Sequence, residues 1–212
     1  MQVLKEEVRS AILLAAYEEF RQSGYSEASI RRIAAAAGMT SGNIYRYFRN
    51  KEDLFDAIVG PLYSEYSRYA QEYLQTAEGI VTGGWDVQAR TIFFERVQAT
   101  LIGLLMASGP SLLLLLCRSE GSKYESIRSE LTGFVESLLT KTFSAAKAAA
   151  GPLNENERIE IGMLSATLIE GVAWIAAKYH DSERLGTLVE QLIDVFGGGV
   201  EKRLLVYRDL IG

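Results

Sequence analysis

Cysteine and histidine each occur once in this sequence of 212 residues, and proline only three times. The single Cys117 excludes an intrachain disulfide and suits a reducing compartment. Lying within the apolar run Leu112–Cys117, it reads as a buried, inert thiol. With His180 as the only histidine, beside Asp181 in a polar stretch, no His/Cys cluster has metal-ligand spacing and no nucleophile has an imidazole partner. A nucleophile elbow and a phosphate-binding glycine loop are missing as well. An enzyme therefore has little to stand on, and neither a cofactor nor a metal is expected. Long hydrophobic runs are also lacking: Leu112–Cys117, like every other, falls far short of the roughly 20 residues a membrane span needs. The opening MQVLKEEVRS carries acids and has no basic-then-apolar leader pattern, so a cytoplasmic chain without a membrane partner is expected.

Positive charge is scarce overall, with a formal net charge of −5. A protein that coats nucleic acid indiscriminately is thereby disfavoured. The distribution is uneven, however. Between Arg21 and Lys51 stand Arg21, Arg31, Arg32, Arg46, Arg49 and Lys51 against one acid, Glu27, whereas Lys5 and Arg9 face Glu6, Glu7, Glu18 and Glu19 before it. A local basic segment in an acidic chain points to a surface for phosphates, whose attraction dominates nucleic-acid affinity. A solvated helical face gives the same count, so charge alone does not decide.

No stretch alternates apolar and polar residues with period two, and the class is read as all-α. Val8, Ile12, Leu13, Ala16 and Phe20 recur at helical steps from about Lys5 to Ser23, with Gly24 as the stop. Ser26 or Ser29 is placed to cap a second helix, Ile30 to Ala37, and Thr40 or Ser41 a third reaching Phe48. Asn50 is placed to cap a fourth that opens with Lys51, Glu52 and Asp53 and runs towards Gln75, with Pro61 expected to kink or restart it. Further helices are expected at about Trp85 to Ala107, Pro110 to Arg118, Ser122 to Ala150, Glu155 to Tyr179, Ser182 to Phe196 and Val200 to Leu210. Gly83-Gly84, Gly109-Pro110, Gly151-Pro152 and Gly197-Gly198-Gly199 supply the breaks.

Two short helices joined by a glycine-containing turn make a helix-turn-helix, whose second helix enters the major groove. Ile30 to Tyr47 fits this: Ile33, Ala37 and Ile44 offer apolar faces to the crossing, Ala34 is small at the approach, and Gly38 stands where a left-handed turn residue is needed. The run Gly38-Met-Thr-Ser-Gly-Asn-Ile-Tyr-Arg-Tyr-Phe-Arg-Asn-Lys-Glu-Asp-Leu54 resembles the signature of the TetR family of transcriptional repressors, and the resemblance extends from about Val8 to Ile58. Ser29-Ile30 departs from the pair of threonines that many members carry.

The resemblance implies an N-terminal three-helix DNA-binding domain over residues 1–50. It also implies an effector-binding and dimerisation bundle over 51–212. Thr40, Ser41, Gly42 and Asn43 are then expected to face the groove, with Tyr45, Arg46, Tyr47 and Lys51 on phosphate or sugar and Ser29 and Arg31 beside them. Tyr45 is expected outward and Tyr47 is left open. Ile44, Phe48 and Leu54 read as internal packing. Chemistry agrees for the groove residues: asparagine can pair with adenine, threonine can touch the thymine methyl, and glycine lets backbone approach base edges.

So short a reading helix calls for two copies spaced by roughly 34–36 Å, hence a homodimer on a near-palindromic operator. The expected interface is the stripe Ile161, Leu164, Leu168, Ile175 with the small face Gly162, Ala166, Ala173, Ala177, joined by Leu185, Leu188, Val189, Leu192, Val195 and Phe196. Tyr66, Trp85, Phe93, Glu170 and Trp174 are candidates to line a pocket for a small-molecule effector, although core packing is the better default for any one aromatic. An effector that favours one of two states would move the helix after Lys51 and change the separation of the reading heads. A helical protein-binding adaptor is the other reading, and it leaves the basic segment and the glycine turn as coincidences.

Overall fold

The structure, a computed structural model, describes residues 2–83, 110–147, 151–179 and 181–209. Its described elements are eight helices: α1 (Gln2–Glu27), α2 (Ile30–Ala36), α3 (Ser41–Ile44), α4 (Lys51–Gly83), α5 (Pro110–Cys117), α6 (Ile127–Ala146), α7 (Glu155–Lys178) and α8 (Ser182–Asp209). The all-α expectation holds. The helix expected at Trp85 to Ala107 lies outside the described residues, as do Trp85, Phe93 and His180.

Two compact units divide the chain, and the division is not a single cut near residue 50. The first unit is Met1–Glu65 together with Ser108–Ile127; the second is Tyr66–Ala107 with Arg128–Gly212. In the first, Ile12, Ala16 and Phe20 of α1, Ile33 and Ala34 of α2, Ile44 of α3 and Leu54, Phe55 and Val59 of α4 are buried. Full burial of each large side chain contributes roughly 1.5–3 kcal/mol. All five leucines from Leu112 to Leu116 are buried too, as a helix apolar on every side must be. Cys117, at the end of that run, is only half-buried. Phe20, Tyr25, Phe55, Tyr124 and Tyr63 form a row of rings, with Phe20 and Phe55 edge to face at 4.9 Å.

Several boundaries differ from the sequence reading. Gly24 does break α1, at φ 73° and ψ 167°, with one more short helical piece before Glu27. α4 neither ends at Gln75 nor restarts at Pro61, but runs unbroken to Gly83. Pro61 is exposed, and Ser111 Oγ donates to the Ile58 carbonyl at 3.0 Å, one turn before the proline. α6 opens at Ile127 and not at Ser122, because Ser122 is spent in a turn: its hydroxyl donates to Ser119 O at 2.6 Å and accepts from Tyr124 N at 3.1 Å. Gly197-Gly198-Gly199 does not end a helix; α8 passes through all three.

In the second unit Tyr73, Phe134, Val135, Leu138, Leu139, Phe143, Ile161, Leu168, Ile169, Val200 and Leu204 make one core. Asn154 starts α7 through a reciprocal capping box with Glu157, whose carboxylate also takes Lys147 Nζ at 2.7 and 2.8 Å. By length and apolar composition alone α7 is long enough to cross a membrane, but Ile161, Leu168, Val172, Ile175 and Ala176 pack inside this unit. That burial also corrects the expected interface. Ile161, Leu168 and Ile175 point inward, with Leu164 against the same core, and Leu185 and Val189 of α8 are buried as well. Facing outward instead are Ile159, Met163 and Trp174 at helical spacing, with Ala166, Glu170 and Ala177 between them, and on α8 Val195 at 78% exposure.

Candidate nucleic-acid interface

α2 and α3 are fixed by what they bury. Ile33, Ala34, Ile44 and Phe48 close the angle between them, and all four are buried. Gly38 turns the chain at φ 68°, a value that costs an L side chain steric strain. Its N–H donates to Ala35 O at 3.1 Å and that of Met39 to Ala34 O at 2.9 Å, which satisfies the last carbonyls of α2. Thr40 then caps α3, its hydroxyl accepting from Asn43 N at 3.3 Å. α3 is shorter than expected, ending at Ile44. Past it the backbone tightens, with Tyr47 N and Phe48 N both donating to Ile44 O. Beyond this pair of hydrogen bonds Phe48 is buried in the core.

The residues expected to meet DNA are brought together on this frame. Thr40, Gly42 and Asn43 are exposed, Ser41 is half-buried, and Tyr45 stands outward at 53% exposure. Tyr47 is half-buried. Arg31 and Arg46 are exposed guanidiniums. The other cations of the basic segment are committed within the chain. Arg21 pairs with Glu18, Arg49 with Asp53 at 2.8 Å, and Arg32 donates to Glu19 at 2.7 Å and to Glu27 O at 2.6 Å. Lys51 turns its ammonium onto the carbonyls of Tyr25, Ser26 and Ala28.

Neither serine caps α2 as expected. Ser29 occupies the N-cap without a side-chain bond. Its N–H goes to Glu19 Oε1 at 2.9 Å, and Ser26 Oγ donates to Glu120 O at 2.7 Å. Burial pushes the Glu19 carboxyl up, but the Arg32 guanidinium and the Ser29 N–H outweigh it and hold the group below its ordinary range. Glu19 thus locks α2 onto α1, a role the sequence reading missed. Asn50 does cap α4, accepting from Asp53 N at 2.7 Å, while Asp53 returns the favour by accepting from Arg49 N at 2.9 Å.

The turn between α5 and α6 was missed altogether. Tyr25 N donates to Arg118 O at 2.8 Å, and Gly121, at φ 80°, lies so close to Ser26 that a Cβ there would collide with its hydroxyl. Tyr124 donates its hydroxyl to Asp56, which also pairs with Lys123 at 2.8 Å. Lys123 first and Tyr124 second hold the Asp56 carboxyl below its usual range. Burial, reinforced by that carboxylate, pushes the Tyr124 phenol up to about 12.

Of the effector candidates, Tyr66, Glu170 and Trp174 lie among the described residues. Tyr66 is half-buried, edge-on to Phe134 at 6.2 Å. Glu170 is exposed and accepts from Arg128 at 3.2 Å. Trp174 is 58% exposed beneath Lys178. Both lie on the outward face of α7. Among the described residues no group of His, Cys, Asp and Glu could hold a metal ion.

A glycine-turned pair of helices with an exposed, polar second helix defines a helix-turn-helix protein. The comparisons narrow the class. The family model described as "Bacterial regulatory proteins, tetR family" matches residues 12–58. The HTH-type transcriptional repressor BepR of Brucella suis is 44% identical over 54 residues, covering 26% of either chain. The regulator AcrR of Shigella flexneri is 43% identical over 68 residues, covering 29% of this chain and 32% of its own. Over residues 12–58 the chain is thus similar to the tetR family of bacterial regulatory proteins. These matches span about a quarter to a third of the relatives' length. For the fold, the chain is similar to NalD of Pseudomonas aeruginosa, with TM-score 0.51, 23% identity and coverage of 92% of this chain and 97% of that one. It is likewise similar to a TetR family regulator of Chloroflexus aurantiacus, with TM-score 0.50, 18% identity and coverage of 92% and 93%.

Proposed function

We propose that the chain is a ligand-responsive, sequence-specific transcriptional repressor that binds a near-palindromic operator as a homodimer. The observation that carries this reading is the exposed row Thr40, Gly42, Asn43 and Tyr45, presented by a helix whose orientation is fixed by buried Ile33, Ile44 and Phe48. Thr40, Ser41, Gly42 and Asn43 read base edges, while Tyr45, Tyr47, Arg31, Arg46 and the backbone near Ser29 meet phosphate and sugar. With Arg32 and Arg49 already paired, the cationic face is narrower than the sequence count.

Dimerisation is supported by the outward row Ile159, Met163, Trp174 and Val195, apolar surface that a second copy would cover. The named relatives are a repressor and a regulator, which supports repression. An effector taken up in the second unit would act through its unequal affinity for two states of the dimer. α4 supplies the route, since it contributes residues to both units.

Selection of the preferred duplex from a random library tests the reading. The expected result is a symmetric site with half-sites about one helical turn apart. No enriched sequence, or a single asymmetric one, would sink it. In the selected duplex Asn43→Ala should relax preference at one position. Tyr45→Ala should weaken all sequences alike, and Arg46→Ala should reduce the slope of log affinity against log salt by about 0.9.

A further inference from the structure

Lysine carries three N–H donors and no acceptor. Lys51 Nζ lies 2.7 Å from Tyr25 O, 3.0 Å from Ser26 O and 3.3 Å from Ala28 O, so each donor has a carbonyl. The ammonium also sits 4.5 Å above the Tyr25 ring, and the residue is half-buried. We propose that Lys51 is a positioning residue for DNA binding, one that holds the α1–α2 junction in place and donates to no phosphate; the proposal rests on the DNA-binding reading above.

The junction needs holding. Gly24 breaks α1, after which Tyr25 O accepts from Ala28 N only at 3.3 Å, and carbonyls at a helix end carry the negative end of its dipole. A cation at that end neutralises both deficits. The opposite side of the same segment is gripped by the α5–α6 turn, through Tyr25 N on Arg118 O and Ser26 Oγ on Glu120 O. Residues 25–28 are therefore clamped between α4 and that turn. Three residues on from Ala28 stands Arg31, and α2 leads directly to the reading helix, so the clamp fixes where Arg31 and α3 point. Lys51 and a phosphate-binding cation such as Arg46 thus have opposite designs, one with its donors spent and the other exposed.

Lys51→Met and Lys51→Arg separate the two roles, with Arg46→Met as the comparison. Binding of the full chain to a mixed-sequence DNA duplex is measured across salt, at a temperature where circular dichroism shows each variant folded. Positioning predicts that both Lys51 variants lose about tenfold in affinity, since a planar guanidinium does not fit three converging carbonyls. It also predicts that their salt slope stays that of the wild type, whereas Arg46→Met lowers the slope by about 0.9. A Lys51→Met slope lowered by the same amount, with Lys51→Arg at wild-type affinity, would overturn the proposal. So would normal affinity in variants that merely melt earlier.

If the variants fail to fold, the wild-type Lys51 ammonium signal in a nitrogen-detected NMR spectrum decides. A slowly exchanging signal unmoved by duplex supports the clamp, and one that shifts or couples to phosphorus on adding duplex refutes it. Failure of the wild type to bind any duplex would overturn the DNA reading itself, and the proposal with it.

Discussion

At Gly42 a methyl group would meet nothing nearer than Thr40 Oγ1 at 3.8 Å, and the backbone there is ordinary helix. Gly42→Ala should therefore leave the melting temperature unchanged or slightly higher while weakening operator binding if, as proposed, Gly42 faces the groove. Equal binding by the variant would place Gly42 outside the interface. Tyr124 tests the other end of the same unit. Removing its hydroxyl in Tyr124→Phe should cost about 1–2 kcal/mol in a denaturation experiment, the value of a bond to a partly exposed carboxylate. Below pH 10 the phenol is neutral in both folded and unfolded chains, and its contribution is complete. Between pH 10 and about 12 only the unfolded chain ionises, so the advantage of wild type over Tyr124→Phe should shrink across that window. Which residues mattered was legible where the reason is local: Gly38 must be glycine because of its own φ. The intrachain partners of Lys51 were not legible, because an ammonium's destination depends on carbonyls 23 to 26 positions away.

Helices were placed well wherever a cap or a period marks them. Asn50 and Asn154 both cap as their side chains allow, and Asn154→Ala should cost about 1 kcal/mol of stability. Glycine and proline misled for a shared reason. Their helix penalties are only about 1 and 3 kcal/mol, and packing of flanking turns outweighs that amount. Val200 and Leu204, just past the glycine triplet, are buried in the core and hold α8 in register. Gly197 is exposed, has open space around it and keeps a helical backbone. Gly197→Ala should consequently raise stability by about 0.5–1 kcal/mol in thermal melts; a loss would mean that the helix is broken there after all.

For the molecule as a whole, the sequence announced an N-terminal reading head and a larger helical remainder, and that much was readable from the motif alone. Its outward and inward faces were not, since α7 is apolar on several sides and periodicity cannot rank them. Val195→Glu should weaken self-association by about 2 kcal/mol, seen by sedimentation as a shift towards single chains, if that face meets a second copy. A wild type that sediments as one chain would refute the dimer before any variant is made. The discontinuous first unit was invisible for a plainer reason: Ser26 and Glu120 are 94 residues apart, and no local pattern encodes their pairing. Synthesis runs in one direction at roughly 5–20 residues per second, so several seconds separate Glu65 from Ile127. Throughout that interval the newborn reading head lacks Arg118 for Tyr25, Glu120 for Ser26 and Tyr124 for Asp56. If this unit binds an operator, half-made chains would be kept from it, because the unit is finished only after Tyr66–Ala107 of the second unit has already been translated.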